Sequence, residues 1–145
     1  MRIAIASDHA GFALKEHVKA QLTAAGHDVV DVGPDSDESV DYPRYAAPAA
    51  RLVAEGDAER GVLVCGSGVG VSIVANKVPG VRAVNAHDPE EAQIARAHND
   101  VNVVTLSGRR LDGAQADAIV EAFLSESFEG GRHSRRVAAI EPLPE

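Results

Sequence analysis

The chain holds one cysteine, Cys65, and its neighbours decide what chemistry it could do. It closes the apolar run 61–65 (GVLVC) and opens Gly66-Ser67-Gly68-Val69-Gly70, a strand-to-helix turn whose backbone N–H groups can face an anion. Such a turn beside a thiol also favours a thiolate, which is a base or a nucleophile. The competing reading is a buried structural cysteine, since a free thiol packs as a small apolar group. Three better-known loops fail on inspection. The dinucleotide fingerprint G-x-G-x-x-G needs a glycine at position 71, which is Val71. A cysteine phosphatase loop needs arginine at that same place. The hydrolase elbow G-x-S-x-G fails because Ser67 has a glycine on either side.

Two histidines fall at the ends of expected elements. Asp8-His9 follows the apolar run 2–6, on the same expected rim as Cys65, and His98-Asn99 closes a helical pattern. Each alone reads as a surface or capping residue; together with Cys65 they outline a site. His17, His27 and His87 have no such placement. Gly130-Gly131-Arg132-His133-Ser134-Arg135-Arg136 is the one strongly basic stretch. Arg132 and Arg136 are four apart, so a helix projects both from one face, and two guanidinium forks suit a phosphate. A solvated basic helix is the plainer alternative. Arg109-Arg110 adds a second basic point. No metal-ligand spacing occurs, and the acidic loop of Asp35, Asp37, Glu38 and Asp41 reads as solvated. The expectation is chemistry without cofactor or metal.

The elements that must position these groups alternate. Strand patterns at 2–6, 28–32, 61–65, 81–86 and 102–106 are each followed by a helical pattern, at 11–25, from Asp41 through Val53, from the glycine turn to Lys77, at 88–98 and at 112–124. Asp41 reads as the cap of the second helix, with Pro43 in its first turn and Ala49, Leu52 and Val53 inward. Pro48 should kink it. Asp88 and Glu91 read as a capping box. A last helix starts near Arg132 and passes Val137 and Ile140. Five such pairs imply a three-layer α/β/α Rossmann-like fold on a five-stranded parallel sheet, one domain over 1–140 with a frayed tail at 141–145. Ligands in such sheets bind at the carboxyl ends of the strands.

Composition narrows the function classes. With 145 residues, 45% apolar and only 3% aromatic, the core must be built from small aliphatic side chains. Fourteen Lys and Arg against 22 Asp and Glu give a net charge of −8, which argues against nucleic-acid or anionic-membrane partners. One cysteine excludes an internal disulfide framework, and neither a signal peptide nor a membrane span is apparent, so the expected location is the cytoplasm.

The chain resembles the type B ribose-5-phosphate isomerase family, which includes galactose- and allose-phosphate isomerases. The matching stretches are SDHAGFALK from Ser7, DYPRYA from Asp41, CGSGVGVSIVANK from Cys65, VRAV from Val81, HND from His98 and FEGGRHSRR from Phe128. The resemblance implies a cofactor-free aldose–ketose isomerase of the pentose phosphate pathway acting through an enediolate. By position, Cys65 is the base between C1 and C2 and Ser67 hydrogen-bonds the sugar. The amides of Gly66, Gly68, Val69 and Gly70 hold the oxyanion. His98 opens the ring, near Asp8 and Tyr42, and Asn99 contacts the sugar. His9, Arg109, Arg132 and Arg136 take the phosphate. It further implies a homodimer or dimer of dimers with the site between subunits. Some members use a glutamate on the loop helix as base; Val69, Val71 and Val74 leave no acid here, which indicates the thiol branch. Two alternatives stand: an isomerase of a four- or six-carbon sugar phosphate, and a non-catalytic phosphosugar- or nucleotide-binding module.

Overall fold

The computed structural model describes residues 1–145. Strands and helices alternate in the order β1 (Arg2–Ser7), α1 (Phe12–Ala24), β2 (Asp28–Gly33), α2 (Pro43–Ala54), β3 (Arg60–Cys65), α3 (Val69–Asn76), β4 (Ala83–Asn85), α4 (Pro89–Asn99), β5 (Val103–Ser107), α5 (Gly113–Ser125) and α6 (Arg132–Ala138). The strands form one parallel sheet in the order β2-β1-β3-β5-β4. Strand alternation splits the core into two layers. Ile3, Ile5, Val62, Val64, Val104 and Leu106 pack beneath α1, α4 and α5. Ala4, Ala6, Leu63, Cys65 and Val103 pack beneath α2 and α3. The architecture is the expected three-layer α/β/α sandwich. No helix is long and apolar enough to cross a membrane.

The topology creates one crevice. β1 and β3 are neighbours, but the chain leaves β1 towards β2 and leaves β3 towards the opposite edge. The loops after Ser7 and Cys65 therefore diverge, which is where ligands enter open parallel sheets.

Local chemistry differs from expectation at several points. The α2 helix runs unbroken through Pro48, whose ring lies on its exposed face; the carbonyl of Arg44 that lacks a donor can be hydrated there. Asp41 does not cap that helix. Tyr42 occupies the N-cap position with no side-chain hydrogen bond, and Pro43 at the first helical position has no N–H to satisfy. Asp88 does accept from the Glu91 amide, at 2.8 Å, but the Glu91 carboxylate turns to the His87 amide instead of closing a box. A complete capping box occurs instead at Asp112 and Gln115. β4 spans three residues, shorter than expected, and α6 ends before Ile140.

Lys15 is wholly buried and pins β2 to α1. Its ammonium donates to both Asp31 carboxylate oxygens at 2.9 and 3.0 Å and to the Pro34 carbonyl at 2.8 Å. Burial alone would raise the Asp31 carboxyl. Hydrogen bonds from Lys19 and Lys15 and from the Gly33 amide outweigh it and hold the group below the usual carboxylate range. A depressed carboxyl stabilises the fold above its unfolded value and stops doing so as pH falls through its folded value. Lys15 keeps Glu16 at 3.1 Å and the Pro34 carbonyl, so Asp31→Asn should cost about 1–3 kcal/mol at neutral pH by weakening, not emptying, the shell of a buried ammonium. In denaturant titrations across pH, the gap to wild type should close below about pH 4. A gap that stays constant would remove this carboxylate from the account.

Candidate active site

The first group of candidate residues converges on the crevice at the carboxyl ends of β1 and β3. Cys65 is the last residue of β3, buried among Ala6, Val71 and Ala75, and its Sγ accepts the Gly68 amide at 3.2 Å. Asp8 is likewise buried; its amide donates to the Val64 carbonyl at 3.1 Å and its Oδ1 accepts from the Gly11 amide at 2.9 Å. The Nδ1 of His9 lies 3.2 Å from both the amide nitrogen and the carbonyl oxygen of Val40, which ties the acidic loop to this rim. Asp35, Asp37, Glu38 and Asp41 are all exposed, as expected.

The glycine turn is held from behind by side chains of two strands. Successive carbonyls face inward: Gly66 O accepts from Ser107 Oγ at 2.7 Å, Ser67 O from Asn85 Nδ2 at 3.3 Å, and Gly68 O from Thr105 Oγ1 at 2.8 Å. Satisfying three carbonyls on the protein side turns this stretch of backbone so that amide donors can face the crevice. Two of those donors are spoken for within the turn, Gly68 by Cys65 and Val69 by Ser67 Oγ at 3.1 Å. Asn85, Thr105 and Ser107 were not picked out from the sequence. Their signal was polar residues at the carboxyl ends of otherwise apolar strands.

Gly68 has φ +77°, and a Cβ there would collide with Asn85 Oδ1 and lie 3.0 Å from the Leu106 carbonyl carbon. Gly68→Ala should lower stability by roughly 2–3 kcal/mol, from left-handed strain plus displacement of Asn85. Thermal unfolding measures it, and an unchanged melting curve would mean that the turn yields freely. The Tyr42 ring lies against Gly70, where a Cβ would come within 2.7 Å of its Cζ. The Arg109 amide donates to Gly66 O at 3.2 Å, and a Cβ on Gly66 would lie 3.1 Å from the Arg109 guanidinium carbon.

The second group lies elsewhere. His98 and Asn99 end α4 on the amino-terminal side of the sheet, and the Glu129 amide donates to the Ala97 carbonyl at 2.9 Å, seating α6 beside them. The turn that follows is clamped. Asp100 is the one non-glycine residue with positive φ, at 49°; its carboxylate meets Arg96 at 2.8 Å and Arg82 at 3.2 Å. Arg82 Nε donates to its carbonyl at 2.9 Å and Arg96 Nη1 to Val101 O at 2.6 Å. The aspartate of the His98-Asn99-Asp100 run thus holds the turn that presents its two predecessors. Arg132 and Arg136 are exposed on α6 in the same region.

Within one chain these groups do not meet: the arginines of α6 lie away from the glycine turn and His98 away from Asp8 and Tyr42, whereas the resemblance had implied a site between subunits. Cys65 pairs with Ser107 at the far end of β5, whereas His98 precedes its start. A five-residue strand separates the two rims by roughly 15 Å. The bland histidines have structural partners: His17 pairs with Asp117 at 2.9 Å, His87 with Glu91 at 3.1 Å and His27 with the N-terminal amine at 3.2 Å.

Comparison with known proteins finds likeness in sequence and fold over nearly the whole chain. The Ribose/Galactose Isomerase family matches residues 3–140. The chain belongs to that family. Ribose-5-phosphate isomerase B of Escherichia coli (strain K12) is 47% identical over 139 residues, covering 96% of this chain and 93% of that protein. A crystal structure of a ribose 5-phosphate isomerase from Thermotoga maritima superposes with TM-score 0.95 at 46% identity, covering 98% of each chain. The structure of ribose-5-phosphate isomerase B from Mycoplasma genitalium with bound ribulose-5-phosphate gives TM-score 0.91 at 42% identity, covering 96% of this chain and 93% of that one. Within the family the chain groups with the type B ribose-5-phosphate isomerases.

Proposed function

We propose that this protein interconverts ribose 5-phosphate and ribulose 5-phosphate through an enediolate. The observation that carries the reading is the full-length likeness to a ribulose-5-phosphate-bound isomerase in a chain that keeps Cys65 at the mouth of the glycine turn. The Cys65 thiolate takes the C2 proton of the open-chain aldose. The C–H electron pair becomes the C1–C2 double bond, and O1 gains the negative charge. O2 then gives up its hydroxyl proton and O1 takes one up, so that the O2 carbonyl forms as the same thiol returns the carbon-bound proton to C1. Amides of the Gly66–Gly70 turn other than those of Gly68 and Val69, with Ser67 and Asn99, stabilise the oxygen on which charge develops, the largest contribution expected in such a site. The Gly68 amide compensates charge on sulfur while the proton is on the substrate. His98 opens the furanose by acid–base transfer, with Asp8 and Tyr42 holding the hydroxyls. His9, Arg109, Arg132 and Arg136 take the phosphate.

This assignment requires two copies of the chain. The rims holding Cys65 and His98 lie on opposite sides of one sheet, so the site is completed by a partner's α4 and α6. Exposed apolar side chains support the pairing: Val69 and Ile73 on α3, four apart beside the glycine turn, and Ile94 on α4.

A panel of four-, five- and six-carbon aldose phosphates in deuterated water tests the reading. The highest kcat/KM should fall on ribose 5-phosphate, with solvent deuterium entering at C1 or C2. Preference for another chain length would change the substrate but not the reaction. Binding without deuterium incorporation would favour a non-catalytic module instead.

A further inference from the structure

The end of α4 and the start of α6 bring together three side chains of which the mechanism above uses only one. His98 and His133 are stacked, with ring centroids 4.4 Å apart and planes 14° apart. Glu129 spans both, Oε1 lying 3.8 Å from His98 Nε2 and Oε2 3.5 Å from His133 Nε2. The three groups lie within 4.8 Å of one another, close enough for a shared metal ion. However, stacked rings direct their nitrogen lone pairs side by side instead of towards one point, and Arg132 and Arg136 add positive charge. The arrangement suits a shared proton better than a cation.

The two imidazoles are not equivalent. His133 is nearly buried, and its Nε2 accepts from Arg132 Nε at 3.4 Å, which requires that nitrogen to be bare. Burial, then the neighbouring His98 and Arg132, keep its proton affinity below the ordinary histidine value. His98 is more exposed, at 38% of its side chain, and carries the edge that Glu129 can still serve. Two stacked imidazolium ions would repel, and one carboxylate neutralises one proton.

We propose that Glu129 and His133 are positioning residues for His98: the stacked ring and the carboxylate together fix the orientation of its imidazole. The proposal rests on the ring-opening role given to His98 above. The stack prevents the His98 ring from turning, and the carboxylate balances the cation that forms when His98 takes a proton from the sugar hydroxyl. Glu129 from the preceding loop and His133 from α6 face His98, and Arg132 and Arg136 act on the stacked pair through His133. In the dimer proposed above, the Cys65 rim of a second copy and the substrate phosphate would join them.

Kinetics of the purified full-length enzyme on ribose 5-phosphate across pH tests this. Glu129→Gln should lower kcat roughly 10- to 100-fold, the usual cost of losing a group that orients a working imidazole, with little change in KM. Its acid limb should move to lower pH, because the cation has lost its counter-charge. His133→Gln should move the limb the opposite way, because a desolvating neighbour is gone. Glu129→Asp should restore most of the rate. Glu129 is exposed, so its variants do not threaten the fold even if His133→Gln does. Wild-type kcat, a loss confined to KM, or a lower rate with an unmoved profile in the Glu129 variants would each overturn the proposal. His98→Gln is the control. If it retains wild-type turnover, the ring-opening reading itself has failed; if it is inactive while Glu129→Gln is not, only the positioning proposal has.

Discussion

Cys65→Ala is expected to lose on the order of 10³-fold or more in kcat/KM for ribose 5-phosphate while remaining folded. The size follows from what is removed. Proton transfer between C1 and C2 needs one group that both accepts and returns the proton, and the other polar groups on the Cys65 rim are engaged: His9 is tied through Nδ1 to Val40. Asp8 is buried with Oδ1 committed to the Gly11 amide, and the glycine-turn helix carries Val69, Val71 and Val74 where an acid could otherwise stand. The fold should survive because the sulfur contributes little packing volume and sits at the end of β3. Its loss unpairs one amide, that of Gly68, at a cost of about 1–2 kcal/mol. Cys65→Ser separates the two effects. A hydroxyl can accept the same amide, so stability should return towards wild type, but an alcohol is far too weak an acid to ionise and activity should stay lost. Melting curves and deuterium exchange at C1 and C2 decide the matter. Exchange at the wild-type rate in either variant would move the base elsewhere.

How much of this site could be read in advance depends on how local each determinant is. Cys65 with its glycines, Asp8-His9 after β1 and Arg132 with Arg136 on one helix are short-range patterns, and the structure keeps each as a unit. The alternation of Ile3 and Ile5 against Ala4 and Ala6 likewise foretold a sheet covered on both sides. Residues that act across the fold were silent. Lys15 looks like any helical lysine until β2 brings Asp31 and Pro34 to its ammonium. Thr105 and Ser107 look like strand residues until β5 lies beside β3 and their hydroxyls meet the glycine turn. Capping went astray for a related reason: several acceptors compete for each amide, so Glu91 serves His87 and Asp41 serves no helix. The separation of His98 from Cys65 was implied by the family resemblance and not by the residues themselves, since it depends on which side of the sheet a helix ends.

That separation supports a last expectation, in which two dead enzymes make a live one. If each site takes Cys65 from one subunit and His98 from the other, Cys65→Ala and His98→Gln damage different halves of it. A dimer carrying one of each then has one site with both lesions and one site with neither. Random assortment gives half of all dimers this composition, so a refolded equimolar mixture should regain about a quarter of wild-type activity. Each variant alone should remain near zero. The gain requires exchange of subunits, so mixing without unfolding should restore activity slowly or not at all. The geometry excludes the intrachain alternative on distance: roughly 15 Å of β5 stand between the two rims, far beyond the ~3 Å that proton transfer demands. No recovery in the refolded mixture, with heterodimers confirmed by mass, would mean that His98 does not serve the partner's Cys65, and the ring-opening group would have to be sought on the Cys65 rim itself, where Asp8 and His9 are the residues in reach.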